Sequence, residues 1–134
     1  MASGPPSPLR RSLPAVPDSV PELRNALADF AHRAGASPTA LEQIRLAVSE
    51  AVTNVVLHAY VGAAAAGPVH VAAEVENSAL NVVVADEGRG MVPRLDSPGL
   101  GLGLALIAHA AENLEVHDGD PAGTRLRMTF PLDG

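Results

Sequence analysis

The sequence contains no lysine and no cysteine, and these two absences exclude several kinds of active site. All nine basic residues of the 134-residue chain are arginines. A P-loop, the active site of a eukaryotic-type protein kinase and a Schiff-base enzyme each need a lysine. Without cysteine there is no disulfide, no thiol nucleophile and no cysteine-ligated zinc.

Aromatic residues are also scarce, at 2% of the chain, although 47% of its residues are hydrophobic. The core must therefore be built from many small aliphatic contacts, and the length suits one domain. The formal net charge of −6 argues against a nonspecific nucleic-acid binder, because no basic face can neutralise many phosphates. The start of the chain is rich in serine and proline, and no apolar run approaches the length of a membrane span. We therefore expect a cytoplasmic protein with no signal peptide and no membrane contact.

The pattern of residues predicts a short tail followed by one domain. Residues 1–8 are expected to be flexible, and residues 9–134 to form the domain, which opens with a strand over residues 9–16. Ser19 and Glu22 have the spacing of a capping box and predict the start of a first helix.

Two more helices are predicted. Gly35 is placed to end the first helix, and Ser37 followed by Pro38 is a typical helix start. Apolar residues at helical spacing extend the second helix to about Tyr60. An alanine-rich segment predicts a third helix over about 100–112.

Alternating polar and apolar residues predict two hairpins. Their strands are expected at residues 69–76, 80–86, 114–117 and 124–131. Asn77 and Ser78 mark the turn of the first hairpin. Strands spread along the chain with helices between them favour an α/β (α+β) two-layer sandwich, in which helices cover one face of a single mixed, mostly antiparallel sheet.

Glu50 and Asn54 are four residues apart, so both project from the same face of the second helix. A carboxylate beside an amide oxygen suits a hard cation such as Mg²⁺, or a base placed next to one. The same spacing is also typical of a solvent-facing stripe on an amphipathic helix. His58, one turn later, fits a packing or capping histidine better than a ligand.

Asp86, Gly88 and Gly90 stand where a valine-rich strand ends. Ligand sites often lie at such ends, and glycines let a ligand approach the backbone closely. A buried aspartate there could accept a hydrogen bond from an exocyclic amine. A plain glycine-rich turn is the competing interpretation.

Gly99, Gly101 and Gly103 directly precede the third helix. Free N–H groups and the helix dipole favour an anion such as a phosphate at that position. The run is not a dinucleotide fingerprint, since that motif would have glycine in place of Leu104.

The order of these motifs resembles the Bergerat-fold (GHKL) ATPases, the superfamily of gyrase, Hsp90, histidine kinases and MutL. It includes a helix-borne Glu/Asn pair, an Asp-x-Gly-x-Gly segment after a strand, a glycine run before a helix, and Gly123-Thr124 on a late strand. The chain is most similar to the anti-sigma factor serine kinases. The resemblance extends over roughly residues 9 to 132.

The resemblance implies ATP as the nucleotide and Mg²⁺ as its metal. Asn54 would then bind Mg²⁺, and Glu50 would be the base acting on the attacking hydroxyl. Asp86 would take the adenine amino group, with Thr124 helping through a shared water. The other residues implied at the nucleotide are Gly88, Gly90, Met91, Gly99, Leu100, Gly101, Leu102 and Gly103.

The resemblance also implies a lid over residues 91–98, beside which Arg89 or Arg94 would supply any basic group at the phosphates. Members of this family act as homodimers, phosphorylate a serine of a small anti-anti-sigma (STAS-type) partner and hold an RNA polymerase sigma factor inactive. Their first helix contributes to partner binding. Arg24 is the residue of interest there, although a solvated arginine is the simpler interpretation.

Two alternatives stay open. One is a non-catalytic regulatory module that binds a partner in a nucleotide-dependent way. The other is a detached histidine-kinase-like ATPase domain whose acceptor lies on another chain. The short lid, and the lack of room for a helical hairpin bearing a phosphoacceptor histidine, argue against an independent histidine kinase.

Overall fold

The computed structural model describes residues 7–88, 107–119 and 122–133, and five strands in these ranges form one sheet. The strands are β1 (Leu9–Pro14), β2 (Pro68–Glu76), β3 (Ala79–Asp86), β4 (Asn113–Asp118) and β5 (Thr124–Pro131). They lie in the order β1–β2–β3–β5–β4, and each neighbouring pair is antiparallel. The predicted single sheet is confirmed, and within the described ranges it is antiparallel throughout rather than mixed.

Helices cover one face of this sheet, as predicted. They are α1 (Ser19–Arg33) and α2 (Pro38–Asn54), which a π-helical turn (Val55–Ala59) continues; residues 107–110 are helical as well. Fully buried aliphatic side chains fill the space between the two layers, among them Leu23, Leu27, Ile44, Val71, Val82 and Met128.

None of the helices in the described part of the chain combines the length and apolar character needed to cross a membrane.

The local signals between the first two helices are confirmed. Gly35 follows the end of α1 with a φ of +96°, and its N–H donates to the His32 carbonyl at 3.0 Å. The Ser37 hydroxyl accepts the Ala40 N–H at 3.1 Å, and Pro38 is the first residue of α2. Both features satisfy backbone groups that a helix end leaves without partners.

The predicted capping box at the start of α1 is wrong. The Ser19 hydroxyl donates to the Pro14 carbonyl at 2.6 Å and does not cap the helix with Glu22. Asp18 occupies the N-cap position without a side-chain hydrogen bond. The chain turns directly after Pro14, so the first strand ends two residues before the expected position 16.

The third helix is confirmed only where the structure describes it. Residues 107–110 are helical, and the Ala111 N–H donates to the Ile107 carbonyl at 2.9 Å. β4 begins at Asn113, so the helix ends about two residues earlier than predicted. The earlier part of the predicted helix lies outside the described residues.

The hairpin between β2 and β3 has the predicted two-residue turn. Asn77 and Ser78 have φ values of 54° and 63°, and the flanking Glu76 and Ala79 pair with each other. Two successive positive φ angles define a type I′ turn, whose twist matches that of the strands. Asparagine tolerates this conformation better than serine.

Ser78→Gly should therefore stabilise the chain by about 0.5–1 kcal/mol, because glycine adopts a positive φ without the Cβ penalty. Urea unfolding would measure the change. Ser7→Gly is the matched control, since Ser7 is exposed and lies outside the positive-φ positions. Equal effects of the two substitutions would contradict the assignment of strain to Ser78.

Candidate functional site

The last turn of α2 carries the predicted Glu/Asn pair. Asn54 is the final residue of α2 and only 6% exposed, whereas Glu50, one turn earlier, is half-buried. Within the described residues, Glu50 forms no ion pair and the Asn54 carboxamide forms no hydrogen bond. No fully buried side-chain polar atom in those ranges lacks a partner, so the carboxamide keeps a path to solvent. Among the described residues, neither group has a partner that would compete with a ligand.

The helix changes its winding directly after Asn54. The π-helical turn (Val55–Ala59) widens the end of α2 and brings the Ala59 carbonyl against Gly88. A Cβ on Gly88 would lie 2.0 Å from the Ala59 carbonyl oxygen, so only glycine allows this approach. Single π-helical turns inside helices are frequent at functional sites. Here the π-helical turn brings the end of the helix into contact with the segment that follows β3.

Asp86, the last residue of β3, is a buried carboxylate at 4% exposure. Its Oδ1 accepts the Gly88 N–H at 2.9 Å, and the backbone N–H of Thr124 also donates to the carboxylate. Burial raises the pKa of Asp86 above its ordinary range, although these two hydrogen bonds and the nearby His70 act in the opposite direction. Two backbone N–H groups therefore hold the carboxylate in place.

Thr124 lies beside Asp86 on the next strand. The two residues are register partners in the β3–β5 pair, and Thr124 is buried as well. Gly123, with a φ of +101°, places the chain so close that a Cβ would lie 1.9 Å from the Asp86 carbonyl oxygen. The first residues of β5 are therefore pressed against the end of β3.

The described part of the candidate site thus contains Glu50, Asn54, Asp86, Gly88 and Thr124, drawn from one helix, two strands and the segment after β3. Several other predicted site residues lie outside the described residues, namely Gly90, Met91, Gly99, Leu100, Gly101, Leu102 and Gly103, together with Arg89 and Arg94. No group of three or more acidic or histidine residues suited to a metal occurs within the described ranges.

Two residues of interest, Arg24 and His58, lie outside this group and are both half-buried. The Arg24 Nε donates to the Asn25 side chain at 3.4 Å, as expected for a solvated arginine on α1. His58 lies in the π-helical turn and is half-buried, which agrees with a packing or capping role.

Tyr60 is a residue at this junction that sequence reasoning missed. Its hydroxyl donates to the Pro68 carbonyl and accepts the Glu87 N–H at 2.9 Å. Two features of the sequence could have indicated Tyr60. It is the only tyrosine of the chain, and it stands at the end of the helix that carries Asn54.

Comparison with known proteins identifies the family. The histidine kinase-like ATPase domain matches residues 13–130, and the chain belongs to this family. A solved structure shares the fold of this chain. The RsbU and RsbW domains of a Mycobacterium tuberculosis protein align with 95% of this chain and 33% of that one, with a TM-score of 0.75 and 25% identity.

Curated relatives carry names of a more specific kind. The serine-protein kinase RsbW of Staphylococcus epidermidis is 38% identical over 76 residues, which are 57% of this chain and 48% of the relative. The anti-sigma F factor of Caldanaerobacter subterraneus subsp. tengcongensis is 30% identical over 117 residues, covering 79% of this chain and 80% of the relative. The matched part of the chain therefore spans about half the length of the RsbW relatives.

Gly123→Ala should destabilise the chain by about 3 kcal/mol, because it combines a forbidden φ with a collision against the Asp86 backbone. Gly62→Ala is the matched control: Gly62 has a φ of +86° but no atom within 4 Å of an added Cβ. That control should cost about 1 kcal/mol. Chemical unfolding of both variants would test this, and equal losses would contradict a close approach between β3 and β5.

The pH dependence of stability should report the buried Asp86. Because its pKa is raised in the folded chain, Asp86 contributes stability that is fully present below its ordinary value of 3.8 and is lost as pH rises through the folded-state pKa. The free energy of unfolding of the wild type, minus that of Asp86→Asn, should therefore fall with rising pH. Asp133→Asn gives the background for removing an exposed carboxylate. A difference that rises with pH would contradict the burial of a carboxylate at this position.

Proposed function

We propose that this chain is an ATP-dependent serine protein kinase that acts as an anti-sigma factor. In this proposal it transfers a phosphate from Mg-ATP to a serine of an anti-anti-sigma (STAS-type) partner, and it sequesters an RNA polymerase sigma factor. The observation that carries the proposal is the pairing of Glu50 and Asn54, one turn apart near the end of the helix whose π-helical continuation contacts Gly88. The names of the curated relatives support the same activity.

Asp86 suits adenine as the base. A carboxylate only accepts hydrogen bonds, and adenine presents an exocyclic amino donor where guanine presents a carbonyl oxygen. The two backbone N–H groups that hold Asp86 fix the direction of its oxygens before any ligand arrives. Thr124, its register partner on β5, would share in this recognition through a water.

Asn54 suits a nucleotide-bound Mg²⁺. This ion prefers hard oxygen ligands and is commonly held by one or two protein groups together with phosphate oxygens. The Asn54 carboxamide lies one helical turn from the Glu50 carboxylate and has no hydrogen bond in the described ranges, so its oxygen fits that requirement. When bound, Mg²⁺ would neutralise charge on the phosphates. The glycine run at 99–103, with Leu100 and Leu102, is predicted from the sequence to wrap them.

Glu50 is the proposed general base. As the serine Oγ attacks the γ-phosphorus, its proton passes to the Glu50 carboxylate, the bond from phosphorus to the bridging oxygen breaks, and ADP leaves. Phosphoryl transfer depends mainly on positioning and charge neutralisation, so a small set of protein groups is sufficient. The half-buried setting of Glu50 leaves its carboxylate accessible to a partner's hydroxyl.

The assembly and location of the protein are proposed on the same basis. We expect a homodimer that works in the cytoplasm, where its two protein partners would be found. The net charge of −6 supports a protein partner rather than direct contact with nucleic acid.

Phosphotransfer from labelled Mg-ATP to candidate acceptors tests the proposal. Glu50→Gln should retain nucleotide affinity and slow transfer by about 10²–10⁴-fold, the usual contribution of a general base. Asn54→Ala should weaken Mg-ATP binding by roughly tenfold or more, since it removes a contact to a charged ligand. Glu42→Gln, an exposed residue two turns before Glu50 on the same helix, is the matched control and should change neither quantity.

Each alternative predicts a different result. Nucleotide-dependent partner binding without phosphate transfer would leave the regulatory module, and phosphate on a histidine of another chain would leave the histidine-kinase-like domain. Normal Mg-ATP binding by Asn54→Ala would contradict the proposed metal position.

A further inference from the structure

We propose that Tyr60 is a positioning residue for adenine recognition, acting through the Asp86–Gly88 segment. This inference rests on the proposed function for the identity of the ligand. The observation that carries it is a single hydroxyl that bonds to two backbone groups at the junction of the helix and the sheet.

Tyr60 follows the π-helical turn and is half-buried. Its hydroxyl donates to the carbonyl of Pro68, the first residue of β2, and accepts the N–H of Glu87, which directly follows Asp86. The ring packs so closely on Gly67 that an added Cβ there would lie 2.5 Å from a ring carbon. One side chain therefore connects the end of the helix to β2 and to the segment that directly follows β3.

The three residues from Asp86 to Gly88 are each held by a different contact. Asp86 accepts the Gly88 N–H, and Gly88 lies against the Ala59 carbonyl. Glu87 lies between them and is held at its backbone by Tyr60. Its carboxylate is held separately, since His70 Nε2 lies 2.6 Å from Glu87 Oε2.

The direction of the Asp86 carboxylate depends on this chain of contacts. Oδ1 is oriented by the Gly88 N–H, and the position of that N–H depends on the conformation of Glu87. Without the Tyr60 hydroxyl, the Glu87 N–H and the Pro68 carbonyl both lose their partner. The segment would then be free to move away from the helix end, and Asp86 would lose its fixed direction.

The hydroxyl keeps its proton for this task. Burial raises the pKa of Tyr60 above its ordinary value of 10.0, and the charges of Asp86 and Glu87 raise it further, against the lowering effect of the Glu87 N–H. The donor to Pro68 is therefore preserved at neutral pH. Phenylalanine has the same ring but lacks both hydrogen bonds, so Tyr60→Phe isolates the role of the hydroxyl.

The test compares two nucleotides that differ at the group that Asp86 would recognise. Mg-ATP has the exocyclic amino group, and Mg-ITP has a carbonyl oxygen in its place. Tyr60→Phe should weaken Mg-ATP binding about five- to tenfold, the usual effect of one lost hydrogen bond, and change Mg-ITP binding much less. The ATP-to-ITP preference should therefore fall, a change that loss of overall stability alone would not produce.

Thr129→Val is the matched control. The Thr129 hydroxyl donates to the Asn81 side chain at 3.0 Å on the open face of the sheet and is half-buried like Tyr60. The variant loses one side-chain hydrogen bond, whereas Tyr60→Phe loses two, and its position is distant from the site. Its nucleotide preference should remain that of the wild type.

Amide hydrogen exchange of the nucleotide-free chain gives a readout that does not depend on the ligand. Tyr60→Phe should speed exchange at the Glu87 and Gly88 amides, and Thr129→Val should not. A wild type that prefers ATP, together with a Tyr60→Phe variant of unchanged preference and exchange, would overturn the inference and leave the proposed function intact. A wild type that binds neither nucleotide would overturn the proposed function, and unchanged exchange in Tyr60→Phe would then overturn the positioning role as well.

Discussion

The burial of one carboxylate at the end of the sheet is the constraint on which the rest of the site depends. Asp86 is almost inaccessible; its carboxylate accepts the backbone N–H groups of Gly88 and Thr124, and the charge of the nearby His70 assists them. Such an arrangement requires the neighbouring backbone to come very close, because here directed N–H groups offset much of the hydration that the carboxylate loses. Gly88 and Gly123 make that approach possible, one beside the helix end and the other beside the strand end. The result is an acceptor of fixed direction, which a ligand with an amino group can use without reorganising the protein.

The contact between the end of α2 and the segment after β3 also fixes where Glu50 and Asn54 lie relative to Asp86. α2 carries Glu50 and Asn54, and it ends against the segment that follows Asp86. The groups proposed for phosphate transfer and those proposed for base recognition are therefore connected through backbone contacts rather than through a mobile side chain. In a core made almost entirely of small aliphatic residues, a lone tyrosine at this point can connect elements that nonpolar packing alone would position less accurately. A Bergerat-type site also explains how a chain without lysine can bind a nucleoside triphosphate. Mg²⁺, backbone N–H groups and a helix dipole can neutralise the phosphates in place of a basic side chain.

Local sequence signals predicted what depends on local physics. Interactions among at most four consecutive residues determine both the turn at Asn77 and Ser78 and the helix cap at Ser37. Both features could therefore be predicted from the sequence. The capping box at Ser19 is wrong because the helix already begins at Ser19, with Asp18 at the N-cap, and the Ser19 hydroxyl donates to the Pro14 carbonyl instead. The order of the motifs predicted the site residues, but the contacts that fix them were not predictable from spacing. Tyr60 reaches a carbonyl eight residues away and an N–H 27 residues away, and only the folded chain brings these groups together.

The central claim is that an adenine nucleotide binds at the junction of α2, β3 and β5. Titration of the isotope-labelled chain with Mg-ATP, followed by NMR spectra of its backbone amide and side-chain carboxamide groups, tests this claim most directly. The account predicts that the largest changes fall on the backbone amides of Gly88 and Thr124 and on the carboxamide of Asn54. Saturable binding of Mg-ATP that leaves these three signals unchanged would contradict it.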